Sequence, residues 1–364
     1  MLLVSANYRP SVGGIEEFTA NLAHGLAARG HEVTVLCCRT GGAPLEEASG
    51  GVRVVRLPAS DLPRRLAGVP YPLPAPPALV RRTRSLLGWA DVVHVQDVLY
   101  ATSAPSLALA RRAHVPSVLT LHVGFVPQRN RALDAAQRAA LATVGRCARM
   151  ASVAVSVNPA VAEWAGATLG LRHVGVVNPG VPAAPAVDRA EVRRRFGLPV
   201  DRFLALFVGR DVPKKGLDVF LAAADPAFEL VAVTDRAGGA GARFVPFVPP
   251  GAFRELLAAA DAFVLPSQAE GFPLALQEAL VTGLPCVVSP SPGYERFLRD
   301  GEAILVRRDP TEVRAALLRL ATDERYRREV GERGRAAGSR EFGLDRFLSA
   351  YEDLYVEVLA TNPG

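Results

Sequence analysis

The sequence predicts an α/β protein made of two Rossmann-like domains that face each other across a cleft. Three observations predict this. At roughly 100–200 residues per domain, 364 residues suggest about two domains. Apolar runs of strand length alternate with helical patterns along almost the whole chain, the pattern of βαβ units around a mostly parallel sheet. The alternation is interrupted once, at residues 179–185, where three prolines and small residues read as a linker.

In chain order, residues 2–5 read as the first strand. Residues 15–28 carry apolar side chains at helical spacing, and Gly30 suits a helix stop. Strands are expected at 33–37, 52–57, 91–95, 118–121, 153–157 and 174–177, with helices near 101–113, 132–149 and 159–169. Residues 58–77 are crowded with proline and read as a loop or lid. Beyond the linker the alternation resumes. Strands are expected at 203–208, 230–234, 244–247, 262–265 and 286–289, and helices near 216–224, 251–260, 273–283 and 310–321. Residues 346–359 have a further helical apolar pattern.

Composition limits the function. Hydrophobic residues make up 49% and charged residues 21%, enough to bury real cores. No signal peptide is read at Met1-Leu2-Leu3-Val4-Ser5, and no apolar run approaches the ~20 residues of a membrane span, so a cytoplasmic location is expected. Cys37, Cys38, Cys147 and Cys286 fit no zinc spacing and read as reduced thiols, with Cys37-Cys38 in a buried strand. The net charge of +6 is unevenly spread. Residues 1–187 hold 18 arginines and no lysine against ten acids, a net +8, whereas residues 188–364 sum to −2. A basic first half attracts phosphates, nucleic acid or an anionic membrane, or is ordinary arginine-rich solvation. Interleaved aromatics and recognisable nucleic-acid modules are missing, so no nucleic-acid partner is expected.

Four features carry chemistry, and each follows an expected strand, the edge where such sheets bind ligands. In Glu270-Gly271-Phe272-Pro273-Leu274-Ala275-Leu276-Gln277-Glu278, Pro273 suits a first helical turn and Gly271 admits close backbone approach. The free N–H groups and dipole of that helix start favour a diphosphate. Glu278 and Glu270 can each accept a pair of bonds from adjacent hydroxyls, Glu278 from a ribose and Glu270 from a sugar. Alternatively, Glu270 is a dipole partner and Glu278 a solvated helix residue. In Gly209-Arg210-Asp211-Val212-Pro213-Lys214-Lys215-Gly216, Arg210 offers a fork and Lys215 a point charge to phosphate; the order is not Walker A, and a plain basic turn is the alternative. Gly13-Gly14-Ile15-Glu16 can bring main-chain N–H groups to a phosphate or be a tight turn, and it is not the dinucleotide fingerprint. His122, ending a strand, can bond a sugar hydroxyl; His94 is a weaker candidate, and His31 reads as structural.

Taken together, these residues resemble glycosyltransferase family 4, the retaining transferases of GT-B fold. The resemblance covers nearly the whole chain. It rests on Gly13-Gly14-Ile15-Glu16, Asn178-Pro179-Gly180-Val181, Gly209-Arg210 with Lys215-Gly216, Pro266-Ser267, Glu270 and Glu278-Ala279, Gly283-Leu284-Pro285 and Asp300-Gly301. It implies a retaining glycosyltransferase that moves a sugar from a nucleotide diphosphate sugar, with UDP or GDP favoured, to a hydroxyl of a lipid, glycan or small molecule. Residues 1–180 would form the acceptor-binding domain, with 346–364 crossing back onto it, and 188–345 the nucleotide-sugar domain. Arg210 and Lys215 would hold the diphosphate, helped by backbone at Gly13, Gly14, Gly209, Gly271, Phe272, Pro273 and Leu274. Glu278 would bind ribose, Glu270 the transferred sugar, and His122 the sugar or the acceptor hydroxyl. No metal or cofactor is implied, because cations and helix starts stabilise the leaving diphosphate.

The chain departs from the family pattern where the base is received: Val123 follows His122, Thr234-Asp235-Arg236 replaces a glycine-rich turn, and Phe244-Val245-Pro246-Phe247-Val248 has proline for glycine. Rival readings are a catalytically silent GT-B module that binds sugar or lipid, which the intact Arg210, Lys215, Glu270 and Glu278 disfavour, and an NAD enzyme, which the missing fingerprint disfavours. Arg64, Arg65, Arg81, Arg82 and Arg84, beside the proline-rich loop, suggest peripheral docking on an anionic membrane or lipid acceptor.

Overall fold

A computed structural model describes residues 1–11, 13–60, 72–124, 141, 143–268, 273–291 and 297–361. The chain forms two compact units, Met1–Gly180 with Phe347–Gly364, and Val181–Arg346. Each is α/β around its own sheet.

The first unit holds strands β1 (Leu2–Val4), β2 (Val33–Cys38), β3 (Glu46–Ser49), β4 (Val52–Leu57), β7 (Val93–Gln96), β8 (Ser117–Leu121), β9 (Val153–Ser156) and β10 (Val174–Val176). Their order is β10-β9-β8-β7-β1-β2-β4-β3, parallel except for β3. Sequence reading missed β3 because Glu-Glu-Ala-Ser carries no apolar alternation; it is a polar strand at the edge of the sheet. The central strands β1, β2, β7 and β8 are buried along their whole length, which is why they read as continuous apolar runs. Helices α1 (Gly14–Ala28), α2 (Pro76–Leu87), α3 (Ser103–Arg112) and α4 (Pro159–Leu169) connect them. Within the proline-rich stretch, β5 (Ala59–Ser60) pairs with β6 (Leu73–Pro74), and α2 starts at Pro76, where a missing N–H costs nothing. That stretch is thus not all loop, although residues 61–71 lie outside the described ones. The helix expected near 132–149 also lies largely outside them; residues 143–148 are helical.

The second unit has six parallel strands: β11 (Leu204–Val208), β12 (Glu229–Val233), β13 (Arg243–Val245), β14 (Ala262–Leu265), β15 (Cys286–Val288) and β16 (Ile304–Leu305), in the order β13-β12-β11-β14-β15-β16. Around them run α5 (Arg189–Arg195), α6 (Leu217–Ala222), α7 (Pro250–Ala259), α8 (Leu274–Thr282), α9 (Pro310–Thr322) and α10 (Glu324–Phe342). The sequence reading missed α10, whose glycines and ten charged residues obscure the period. Gly331, Gly334 and Gly338 lie so close to Gly283, Glu302 and Leu280 that a Cβ at each would stand 2.5–3.0 Å from those neighbours.

The chain leaves the first unit at Gly180, which packs on the Phe347 side chain so tightly that a Cβ would lie 2.4 Å from the Cβ of Phe347. It returns through α11 (Leu344–Thr361). Phe347, Leu348, Tyr351, Tyr355 and Val358 form one buried stripe of α11. Phe347 and Tyr351 meet Phe18 of α1, Leu348 abuts Gly25, and Glu352 pairs with Arg29 and His31. The last helix therefore completes the first unit, as expected from the sequence.

Candidate active site

In each sheet the strand order reverses once, and a crevice opens at the carboxyl ends of the two strands flanking the reversal. In the second unit these are β11 and β14. The segment after β11 bears Gly209, Arg210, Lys215 and Gly216. A 3₁₀ turn (Pro213–Lys215) leads through Gly216, at φ +74°, into α6. The turn docks on the end of β14: Gln268 N–H donates to Lys214 O at 2.7 Å. The stem of Lys215 crosses Gly209, with Cδ 3.5 Å from where a Cβ would stand. Arg210 is exposed and Lys215 half-buried, so the segment after β11 carries two cations.

Three further residues, of which the sequence marked only Asp235, and that as a departure, hold this segment and the neighbouring α8. Asp235 Oδ1 accepts from Asp211 N–H at 2.7 Å and from the Thr234 hydroxyl, and the Asp211 bond holds its carboxyl below the usual carboxylate range. The departure at Thr234-Asp235-Arg236 thus clamps the Arg210–Asp211 backbone. Arg308, beyond β16, donates to Pro213 O and to Asp218. Arg254 of α7 faces α8, its Nη1 buried and 3.9 Å from Glu278 Oε1, close enough to attract but too far to hydrogen-bond. Glu278 is therefore not a solvated helix residue; its side chain is 14% exposed. No sequence pattern marks Arg254, because it is defined by a neighbouring helix. Pro273 is the N-cap rather than the first helical residue, and Leu274 opens α8. Glu270, Gly271 and Phe272 lie outside the described residues.

In the first unit the reversal falls between β7 and β1. Gly13 caps α1 in extended conformation. The Glu16 carboxylate folds over it, so close that a Cβ on Gly13 would lie 2.2 Å from Oε2. The helix start thus attracts an anion, and in this structure its own Glu16 supplies one. Glu17 makes a bidentate pair with Arg9, whose carbonyl accepts from the buried Arg56.

Alternation places His94, Gln96, Thr120 and His122 on one face of β7 and β8. His94 is fully buried, each ring nitrogen 2.7 Å from a hydroxyl, Tyr355 on one side and Thr120 on the other. Thr120 Oγ1 is also 2.8 Å from Tyr351 OH. Burial, reinforced by the nearby His122, pushes the His94 imidazole down to about 3. His94 is thus a structural link between sheet and α11. His122 is half-buried, its Nε2 2.8 Å from Gln96 Oε1 and its ring 4.5 Å from Phe18 edge-on; burial of the ring pushes it down to about 3. His31 is exposed and bonds Glu352. Among the described residues no group of three or more His, Cys, Asp or Glu side chains could hold a metal ion.

The comparison with known proteins agrees with this geometry. The family model for Glycosyltransferase Family 4 matches residues 12–184, and that for Glycosyl transferases group 1 matches residues 188–337. The D-inositol 3-phosphate glycosyltransferase of Xylanimonas cellulosilytica is 30% identical, covering 97% of this chain and 93% of the relative. The chain belongs to glycosyltransferase family 4. Among solved structures, sucrose-phosphate synthase from Thermosynechococcus elongatus matches with a TM-score of 0.72 at 20% identity over 99% of both chains. Anabaena HepE in complex with UDP-glucose matches with a TM-score of 0.70 at 17% identity, over 98% of this chain and 99% of that one. These likenesses show the fold, which is GT-B. This family-4 protein is a nucleotide-sugar glycosyltransferase.

Proposed function

We propose that this family-4 enzyme transfers a hexose from UDP- or GDP-sugar to an acceptor hydroxyl with retention at the anomeric carbon, and that it needs no metal ion. The observation that carries the proposal is the basic pair Arg210 and Lys215 on the carboxyl edge of β11, at the strand-order reversal, beside the start of α8. Such a pair meets the two phosphates of a leaving nucleoside diphosphate and stabilises the charge that grows there as the bond to the sugar breaks. Gly209, Pro273 and Leu274 lend backbone to the same grip, and Gly271 and Phe272 complete it. Glu278 takes the ribose diol and Glu270 the hydroxyls of the transferred sugar. The first unit takes the acceptor, with His122 on a sugar or acceptor hydroxyl and Gly13–Gly14 on phosphate once Glu16 swings aside. In the reaction the acceptor oxygen bonds to the anomeric carbon on the face that the phosphate leaves. The carbon–oxygen bond to phosphate breaks, and the acceptor proton passes to the departing phosphate oxygen.

The acceptor is a lipid, a glycan or a small molecule. No helix among the described residues is long and apolar enough to cross a membrane. Arg81 and Arg84 lie exposed on α2, followed by the 42%-exposed Trp89. This surface favours peripheral docking on an anionic cytoplasmic membrane face. Co-sedimentation equal on anionic and neutral vesicles would remove the docking.

The donor assignment is tested by thermal shift with UDP, GDP, ADP and TDP, since a ligand of the folded state raises its melting temperature. The largest shift is expected with UDP or GDP. In Arg210→Ala that nucleotide should bind about 10- to 100-fold more weakly. Unchanged affinity would refute the phosphate role.

A further inference from the structure

Gln96 is a fully buried amide on a parallel strand, a costly place for a polar group without partners. Its Oε1 accepts from the Nε2–H of His122 at 2.8 Å, while its own Nε2 has no partner among the described residues. The contact is fixed by register. Gln96 lies opposite Thr120, and alternation returns His122 to the same face two residues on. Its chain neighbour Asp97, 1% exposed and at φ +58°, secures the backbone of the same histidine. Asp97 Oδ1 accepts from Leu99 N–H at 3.0 Å and Oδ2 from His122 N–H at 3.3 Å. Phe18 closes a third side of the ring.

A neutral imidazole carries one proton, and the partner of one nitrogen decides the role of the other. An amide oxygen only accepts, so it keeps the proton on Nε2 and leaves Nδ1 with its lone pair. We infer that Gln96 is a positioning residue for sugar transfer: it holds His122 as the Nε2–H tautomer, with Nδ1 as acceptor for a hydroxyl of the donor sugar or the acceptor. This rests on the role of His122 proposed above.

Long-range proton–nitrogen NMR on the full chain carrying ¹⁵N-histidine reads the tautomer directly. Wild type is expected to show His122 protonated on Nε2. Gln96→Leu, close in size, should lose that preference. Its kcat for hydrolysis of UDP-glucose or GDP-mannose, whichever the wild type cleaves, should fall on the order of tenfold. KM should stay within about twofold, because the diphosphate grip is elsewhere. Gln96→Glu keeps an acceptor and should restore the tautomer and most of the rate. An Nδ1–H ring in wild type overturns the inference. So does Gln96→Leu at wild-type turnover while His122→Ala is impaired. If His122→Ala itself turns over like wild type, the sugar contact fails, and the positioning role fails with it.

Discussion

Gly216 joins the fold to the turn that carries Lys215, and replacing it with alanine tests that turn's packing and its proposed phosphate role together. Its φ of +74° costs an L-residue about 1–2 kcal/mol. A Cβ would also stand 2.1 Å from Pro266 O and 2.9 Å from Pro266 C, both backbone atoms that cannot rotate away. Relieving that overlap moves the turn off the end of β14, and overpacking of this kind costs about 1–3 kcal/mol. The sum is about 3 kcal/mol. For a unit of this size that corresponds to a fall of about 6–12 °C in melting temperature. Gly197 is the control. Its φ is +66°, but a Cβ there meets nothing within 4 Å, so Gly197→Ala should lose only the conformational part, about half the loss in Gly216→Ala. The moved turn carries Lys215, so Gly216→Ala should also weaken UDP or GDP binding about tenfold, whereas Gly197→Ala should not. Calorimetry of both variants, with titration of the nucleotide, reads all of this. Equal melting losses in the two would refute the steric reasoning, and full nucleotide affinity in Gly216→Ala would detach the turn from the site.

Other perturbations address other parts of the molecule. Glu278→Ala should weaken UDP or GDP about tenfold while leaving pyrophosphate affinity unchanged in isothermal titration, because pyrophosphate has no ribose for Glu278 to hold; equal losses for both would deny the ribose role. Tyr355→Phe leaves one buried nitrogen of His94 without its hydroxyl and should cost the first unit about 1–3 kcal/mol in urea unfolding. His94 also makes stability depend on pH. With its imidazole near 3 in the folded chain and about 6.5 when unfolded, the unfolded state binds the extra proton between those values. Stability is then full well above pH 6.5 and falls as acid is added, by about 3 kcal/mol at pH 4.5. A His94→Gln variant should show a shallower loss over that window, and an identical slope would exclude His94 as the cause.

Much of the architecture was legible because parallel strands buried on both faces spell themselves as apolar runs, and the glycine and proline punctuation between them is local. β3 and α10 escaped for one reason: both owe their conformation to what they lie against. A four-residue edge strand with a half-buried side chain at Glu47 has no apolar face of its own, and α10 follows from glycines that let it press on Gly283, Glu302 and Leu280. The candidate site divided in the same way. Arg210, Lys215 and Glu278 were visible because each follows a strand within a recognisable local string. The partners of Arg254, Arg308 and Asp235 were not, since each acts on a segment 24 or more residues away in sequence.

Asp235 shows how a departure from a family pattern can be misread. A glycine-rich turn would offer no side chain to hold the loop after β11. With Thr234-Asp235-Arg236 in its place, the Asp235 carboxylate is already bonded to Asp211 N–H, the Asp211 carboxylate lies 3.8 Å from Arg236, and Val212 N–H returns to Arg210 O at 2.8 Å. The backbone carrying Arg210 is therefore held by bonds within the chain, so under the proposed phosphate role less ordering would remain to oppose binding. On the role proposed for Arg210, a change that reads as damage in sequence would thus act, in the fold, as preorganisation of a phosphate-binding cation.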